Sequence, residues 1–242
     1  MNSTEVKLQY NICEGEKNGV AVVIVAAGSS SRMKGTNKLF LPILGVPVIA
    51  RTLMAFENCS AISKIVLVTA KESVLDMQLI CERYAITKLT DIVEGGSNRH
   101  ESVINGIEKL SDDETKVLIH DGARPFVDGD TIMSVIAELN NFDASVCVHK
   151  INDTVKMVDE NNNVISTVDR SMLYGAQTPQ GIDIKKYLKA CNSLQNPDSF
   201  TDDVSIMEAA GYSVKAVLGN SKNIKITTPD DLIIANSIAE RE

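Results

Sequence analysis

A glycine followed by hydroxyl and basic side chains comes directly after an apolar, β-branched segment near the start of the chain. This stretch runs from Val22 to Pro42 and contains the cations Arg32, Lys34 and Lys38. Small residues at the end of a buried strand let the backbone approach a ligand, and free N–H groups together with cations bind phosphate oxygens. The pattern therefore predicts a loop that grips a nucleoside triphosphate.

The loop matches neither of two common phosphate-binding motifs. The dinucleotide fingerprint Gly-x-Gly-x-x-Gly does not follow Gly28, and Arg32-Met33 stands where a P-loop requires Gly-Lys. A packed turn is the alternative interpretation of Ala26-Ala27-Gly28 alone. The cations Arg32 and Lys38 favour a polyphosphate clamp instead.

Asp121 ends a predicted strand and is the candidate metal ligand. Mg²⁺ typically takes one or two protein carboxylates together with phosphate oxygens and water. A helix cap or an ion pair with Arg124 is the alternative role. The neighbouring His120 has no second histidine or cysteine at ligand spacing, which favours a structural role for it.

Apolar strands alternate with amphipathic helices over most of the chain, and they must position these side chains. This alternation predicts an α/β fold with a mostly parallel sheet covered on both faces and a site beyond the carboxyl ends of the strands. Strands are expected from residue 22 and at 64–69, 91–94, 116–120, 144–148 and 213–218. Helices are expected at 48–56, at 73–84 after a Ser73 cap, at 99–110, at 130–139 after an Asp130 cap, at 183–194, at 202–210 and from a Thr228 cap onward.

Residues 154–169 interrupt this alternation. Two short apolar segments flank an asparagine-rich turn, a pattern typical of a β-hairpin. An isolated hairpin is marginal in water, so we expect it to pack on something, for which a second subunit is a candidate.

Composition limits the classes of partner. The 242 residues carry a net charge of −8, which argues against a broad nucleic-acid or anionic-membrane surface. No apolar run approaches the roughly 20 residues of a membrane span, and the first residues do not resemble a secretory signal. Five cysteines without a Cys-x-x-Cys pair predict reduced thiols in a cytoplasmic protein.

Five blocks, in order, resemble the 2-C-methyl-D-erythritol 4-phosphate cytidylyltransferases of the non-mevalonate isoprenoid pathway. They are residues 26–40, 95–103, 120–126, 177–180 and 223–229. The resemblance implies a single domain over residues 19–242, after an extension at 1–18. It also implies a three-layer, Rossmann-like fold of the nucleotide-diphospho-sugar transferase type, with a hairpin arm at about 151–172.

The activity implied by the resemblance is Mg²⁺-dependent. The phosphate of methylerythritol phosphate attacks the α-phosphorus of CTP and pyrophosphate leaves. By resemblance, Arg32 and Lys38 stabilise the transition state, and Lys225 and Arg170 hold the attacking phosphate; each is otherwise a solvated surface cation. The same resemblance assigns nucleotide binding to Ala26, Ala27, Gly28, Gly96, Arg99, Ser102 and Gly122, substrate binding to Arg124, Asp153 and Thr154, and metal binding to Asp121.

Two of these assignments have local alternatives. Ser102 serves either to select cytosine through fixed polar contacts or only to cap its helix. Arg99 is either a phosphate contact or an ion-pair partner of Glu101. Two positions also depart from the family, because Ser97 replaces a frequent aspartate and Lys222 stands where some members carry an acidic metal ligand. Asp121 is therefore the only metal carboxylate we predict.

The resemblance further implies a homodimer in which the arm completes the neighbouring acceptor site, with Thr154 and Arg170 at the interface. An exposed hairpin on a monomer is the alternative. Ribitol 5-phosphate cytidylyltransferase is the nearest competing activity, and residues 37–40 and 168–171 favour the erythritol enzyme. A nucleotide-binding regulator without turnover is less consistent with the presence of both Arg32 and Lys38.

Overall fold

The computed structural model describes residues 19–28 and 37–241. The predicted extension at 1–18 and the predicted catalytic residue Arg32 lie outside the described residues. Within the described part, the strands are β1 (Val20–Ala26), β2 (Pro42–Ile43), β3 (Val46–Pro47), β4 (Ile62–Thr69), β5 (Leu89–Glu94), β6 (Lys116–Asp121), β7 (Ala144–Lys150), β8 (Val155–Val158), β9 (Val164–Val168), β10 (Tyr174–Asp183) and β11 (Val214–Leu218).

Helices connect most of these strands. The α-helices of the described ranges are α1 (Val48–Glu57), α2 (Val74–Arg83), α3 (Arg99–Ile107), α4 (Gly129–Glu138), α5 (Ile184–Ser193), α6 (Asp203–Ala209) and α7 (Pro229–Ala239). Single 3₁₀ turns cover Lys38–Phe40, Lys71–Ser73, Arg170–Met172 and Pro197–Ser199.

Seven strands form the central sheet in the order β11-β7-β10-β6-β1-β4-β5. All neighbouring pairs are parallel except those of β10, which runs antiparallel to both β6 and β7. The predicted α/β fold with a mostly parallel sheet is confirmed. Strand β10 was not predicted, because its glycines, glutamines and proline lack the β-branched alternation that marks a strand.

Alternating side chains of β1 place the sheet between two helical layers. Val22 and Ile24 pack with α1, α2, α4 and α7, whereas Ala21 and Val23 pack with α3, α5 and α6. Because successive side chains of a strand point to opposite faces of the sheet, an uninterrupted apolar strand requires helices packed on both faces. The core is thus divided by the sheet, and its central strands end together at one edge.

Two of the predicted helix caps are corrected. The carboxylate of Asp128, not Asp130, accepts a hydrogen bond from Thr131 N at 2.8 Å, because Asp128 has the extended backbone that directs a cap side chain forward. Asp130 already lies inside the helix. Ser73 precedes α2 as predicted, but it ends a 3₁₀ turn and its side chain makes no capping bond. The predicted start of α7 is confirmed, with a capping box between Thr228 and Asp231.

The predicted hairpin is present as a separate two-stranded sheet of β8 and β9. Its turn is closed by Asp159, whose carboxylate accepts hydrogen bonds from the backbone N–H groups of Asn161 and Asn163. Large apolar side chains on and beside the hairpin are exposed to solvent; they are Met157, Val158, Val164, Ile165, Met172 and Tyr174.

Candidate active site

A cleft of about 470 Å³ opens at the carboxyl ends of β1, β5 and β6. This is where an open, mostly parallel sheet binds ligands. Nine residues predicted for the site line this cleft: Ala26, Ala27, Gly28, Lys38, Gly96, Arg99, Ser102, Asp121 and Lys225. Val25, Leu39, Ser97, Asn98, Ala123 and Thr227 complete its lining and were not predicted.

Two glycines allow close packing in the loop after β5. A Cβ on Gly95 would lie 2.4 Å from the Cβ of Ala27, and a Cβ on Gly96 would lie 2.2 Å from that of Glu101. Such distances exclude any larger residue unless the backbone moves. Gly95 therefore lets the loop after β5 approach the loop after β1, and Gly96 lets the same loop fold against the start of α3.

The hydroxyl of Ser102 is largely engaged within this loop. It donates to the carbonyl of Asn98 at 2.8 Å and accepts from Gly96 N at 3.1 Å. A hydroxyl has one donor and two acceptor sites, so one lone pair is left for a ligand. Ser102 thus shapes the loop, as in the alternative interpretation, while also lining the cleft.

Arg99 does not pair with Glu101. The Glu101 carboxylate instead accepts from Ser97 N at 2.7 Å. The Arg99 guanidinium lies 2.7 Å from Asp203 Oδ2 and 3.8 Å from Asp121 Oδ1. Burial opposes the positive charge of Arg99, but the Asp203 carboxylate outweighs it and raises the pKa of the guanidinium. Arg99 therefore remains a fixed cation on the wall of the cleft.

Asp121 lies among three cations. Lys225 Nζ is 2.8 Å from Oδ2, Arg124 Nε is 3.6 Å from the same oxygen, and Arg99 approaches the other oxygen. Burial alone would raise the pKa of Asp121, but the charges of Lys225, Arg99 and Arg124 outweigh it and lower the pKa to about 2. The carboxylate is therefore ionised at neutral pH, and the predicted alternative of an Asp121–Arg124 contact is also present.

His120 is fully buried and links the loop after β6 to strand β10. Its Nε2 lies 3.2 Å from the carbonyl of Arg124, and its Nδ1 lies 3.1 Å from Thr178 Oγ1, which accepts from Asp121 N at 3.0 Å. A carbonyl only accepts, so we assign the ring proton to Nε2 and let the Thr178 hydroxyl donate to Nδ1. Burial lowers the pKa of His120 to about 4, and the neutral ring has the structural role predicted for it.

Arg124 and Gly122 support the cleft from behind. Arg124 is buried and donates from Nη1 to the carbonyl of Asn223 at 2.9 Å, which holds the segment that carries Lys225. Gly122 donates to Val25 O at 2.9 Å, and its own carbonyl accepts from Thr52 Oγ1 at 2.9 Å. Neither Arg124 nor Gly122 lines the cleft.

The three remaining predicted residues lie on the hairpin arm. Asp153, Thr154 and Arg170 are exposed and do not line the cleft of the same chain. The Arg170 guanidinium donates to the carbonyl of Asn152, across the base of the arm. One chain by itself therefore does not bring these residues to Lys38 and Asp121.

Several buried polar residues that support the cleft were missed. Asn223 donates to Thr178 O at 2.8 Å, and its own carbonyl accepts from Arg124 and from Gln177. Asp203 binds Arg99, as described above. Asn223 and Gln177 stand in blocks that carried the resemblance, which was the available signal. The only sequence signal for Asp203 was its position in an acidic pair at the start of a predicted helix.

Among residues 19–28 and 37–241, no group of three histidine, cysteine, aspartate or glutamate side chains is arranged to hold a metal ion. Nor does this part of the chain contain a helix that is long and apolar enough to cross a membrane.

Comparison with known proteins identifies the family of the chain. Residues 20–241 match the family model of IspD, 2-C-methyl-D-erythritol 4-phosphate cytidylyltransferase. The Bacillus cereus protein of that name is 42% identical over 218 residues, covering 89% of this chain and 96% of the relative. The Alkaliphilus oremlandii protein is 41% identical, with 90% and 94% covered.

Solved structures give the same result. The crystal structure of 4-diphosphocytidyl-2C-methyl-D-erythritol synthase from Anaerococcus prevotii has a TM-score of 0.83 and 31% sequence identity. The alignment covers 93% of this chain and 97% of that one. The chain belongs to the 2-C-methyl-D-erythritol 4-phosphate cytidylyltransferase family of enzymes.

Proposed function

We propose that this enzyme transfers the cytidylyl group of CTP to 2-C-methyl-D-erythritol 4-phosphate, forming 4-diphosphocytidyl-2-C-methyl-D-erythritol and pyrophosphate in the non-mevalonate route to isoprenoids. Family membership names the reaction class. The observation that carries the proposal is the cleft itself, where Lys38, Arg99 and Lys225 line the same space as Asp121 at the strand ends. A reaction between two phosphate-bearing anions needs such a local excess of cations on a chain that is acidic overall.

The nucleotide occupies the side of the cleft formed by the loops after β1 and β5. Its triphosphate lies against the backbone of Ala26, Ala27 and Gly28 and near the Lys38 ammonium, and Gly96 and Ser102 face the nucleoside. Arg32, which lies outside the described residues, is the second cation that we propose for stabilising the transition state. Fixed cations stabilise the charge that develops on the α-phosphoryl oxygens and on the departing pyrophosphate.

Lys225 aims the attacking phosphate from the opposite side. Its side chain is 40% exposed and its ammonium is held at Asp121, so it reaches both the carboxylate and the open cleft. An acceptor phosphate bound there approaches the α-phosphorus in line with the leaving group. Arg124 assists indirectly, because its contact with Asn223 holds the backbone just before Lys225.

Mg²⁺ is the proposed cofactor, and the donor set at the cleft fits it. Asp121 supplies one ionised carboxylate, and the triphosphate supplies the other oxygens that this hard cation prefers. Bound there, the ion would neutralise phosphate charge and polarise the α-phosphoryl group. The Lys225 ammonium lies 2.8 Å from Oδ2 of Asp121, so the same carboxylate that would hold the ion also orients Lys225.

We propose a homodimer as the active form. The exposed apolar side chains of the arm, such as Ile165 and Met172, are suited to burial against a second copy. A partner's arm would bring Asp153, Thr154 and Arg170 to the acceptor side of the cleft.

We also propose the cytoplasm as the compartment, since the described cysteines at 59, 81, 147 and 191 are free thiols.

Pyrophosphate release tests the reaction. The full chain is incubated with CTP and Mg²⁺, with either methylerythritol 4-phosphate or ribitol 5-phosphate as acceptor. We expect release with the erythritol compound and little with the ribitol compound. The reverse preference would assign the competing activity, and no release with either acceptor would contradict the catalytic proposal.

A further inference from the structure

Asp203 is an almost completely buried carboxylate that contacts the wall of the nucleotide cleft from behind. It begins α6 and is 1% exposed. Its Oδ2 accepts from Arg99 Nη2 at 2.7 Å, and its Oδ1 accepts from the Tyr187 hydroxyl at 3.1 Å. Both oxygens therefore have partners, and one of these partners is a cation that lines the cleft.

Asp203 is itself held in place by Gln180. The side-chain oxygen of Gln180 accepts from the backbone N–H groups of Asp203 at 3.0 Å and Val204 at 3.1 Å. Its amide nitrogen donates to Asp202 Oδ2 at 2.9 Å. The antiparallel strand β10 thus fixes the start of α6, and α6 fixes the side chain at the start of α3.

We propose that Asp203 is a positioning residue for nucleotide binding, acting only through Arg99. An arginine at a helix start has several rotamers available, and ordering it costs conformational entropy. The Asp203 carboxylate removes that freedom before the ligand arrives and uses one of the five N–H groups of the guanidinium. Nε faces Asp121 at 3.8 Å, and the other donors are held at the cleft for CTP, so that binding is correspondingly stronger.

The proposal rests on the proposed function for the identity of the nucleotide, and direct binding separates the two. CTP affinity is measured by titration calorimetry on wild type, Asp203→Asn, Arg99→Gln and the double variant. Asp203→Asn is expected to weaken CTP about tenfold, and Arg99→Gln at least as much. Because Asp203 acts through Arg99, adding Asp203→Asn to Arg99→Gln should weaken CTP less than twofold further.

Folding is followed by thermal unfolding of the same four proteins. Arg99→Gln leaves the Asp203 charge buried without its partner and should lower Tm, and the double variant should recover much of that loss without recovering CTP affinity. A merely structural role for Asp203 predicts that affinity and Tm recover together. Glu208→Gln is the matched control, because it removes an exposed acid from the same helix and should change neither quantity.

A second variant covers the case in which Asp203→Asn fails to fold. Tyr187→Phe keeps the buried ring and removes one hydrogen bond to Asp203, so CTP should weaken by about two- to fivefold with the KM for the acceptor unchanged. Additive losses in the Asp203–Arg99 cycle, or unchanged CTP affinity in folded Asp203→Asn, would overturn the proposal. Wild type that binds CTP but releases no pyrophosphate would contradict the proposed function alone.

Discussion

The ammonium of Lys225 lies 2.8 Å from Asp121 Oδ2, so the proposed phosphate-aiming residue and the proposed metal ligand form one ion pair. Arg124 and Arg99 surround the same carboxylate at 3.6 Å and 3.8 Å. These cations outweigh the effect of burial and hold the pKa of Asp121 at about 2. The carboxylate is therefore charged throughout the neutral range.

Replacing Lys225 by methionine tests the acceptor side of this pair. Loss of one positioned cation should lower kcat about 100-fold and raise the KM for the erythritol phosphate. CTP affinity should change less than threefold, because Lys225 is proposed to hold the acceptor rather than the nucleotide. Steady-state kinetics with calorimetric CTP binding measure both effects. Lys225→Arg, which keeps the charge, should retain more of the turnover, and equal loss in both variants would argue against an electrostatic role.

Replacing Thr178 by valine tests the buried bridge behind Asp121. The substitution leaves the Asp121 N–H and His120 Nδ1 without their shared partner, which should cost about 1–3 kcal/mol of unfolding free energy. Urea unfolding measures that loss. Thr178→Ser keeps the hydroxyl and should lose much less unfolding free energy. A valine variant as stable as wild type would show that the shared hydroxyl does not stabilise this bridge.

Acid unfolding tests the ion pair that joins β7 to α5. The Asp143 carboxylate accepts from Lys186 and from the N–H and hydroxyl of Ser213, and these bonds lower its pKa from 3.8 to about 2. Because the pKa of Asp143 is lower in the folded than in the unfolded state, its ionised carboxylate stabilises the fold. This stabilisation is fully present above about pH 4 and is lost as the pH falls toward 2. The urea midpoint of Asp143→Asn should lie below that of wild type at pH 6.

The difference in urea midpoint between Asp143→Asn and wild type should narrow at pH 3, because the wild-type carboxylate then gains protons on unfolding. Asp198→Asn, a change to an exposed acid, serves as the control and should follow the wild-type pH dependence. A difference in midpoint that stayed constant from pH 6 to pH 3 would show that the charge of Asp143 is not what stabilises this contact.

Mixing two inactive chains tests whether the arm completes a partner's site. Arg32→Ala removes a nucleotide-side cation, and Arg170→Ala removes an arm cation. If active sites combine residues of two chains, the mixed dimer should contain one site with both arginines and recover up to about a quarter of wild-type activity after random exchange. Pyrophosphate release measures the recovery. Each variant incubated alone controls for residual activity, and a mixture no more active than the separate variants would count against shared sites.

Local patterns in the sequence were sufficient for most of the architecture. Apolar runs and caps predicted the order of strands and helices, because hydrophobic periodicity within ten residues reflects which faces are buried. The hairpin around Asn162 was predicted from the same kind of signal. The polar clusters that follow β1, β5 and β6 also indicated where a ligand site would lie, since parallel strands end at a common edge.

Only the tertiary structure decided which polar side chains meet. Strand β10 is polar and contains a proline, so its central place in the sheet depends on pairing with β6 and β7 rather than on its own residues. That pairing brings Gln180 to Asp203, and Asp203 to Arg99, across long separations in the chain. Sequence predicted that Arg99 would bind an anion or a nearby acid. Its actual partner follows from long-range packing, which no local pattern encodes.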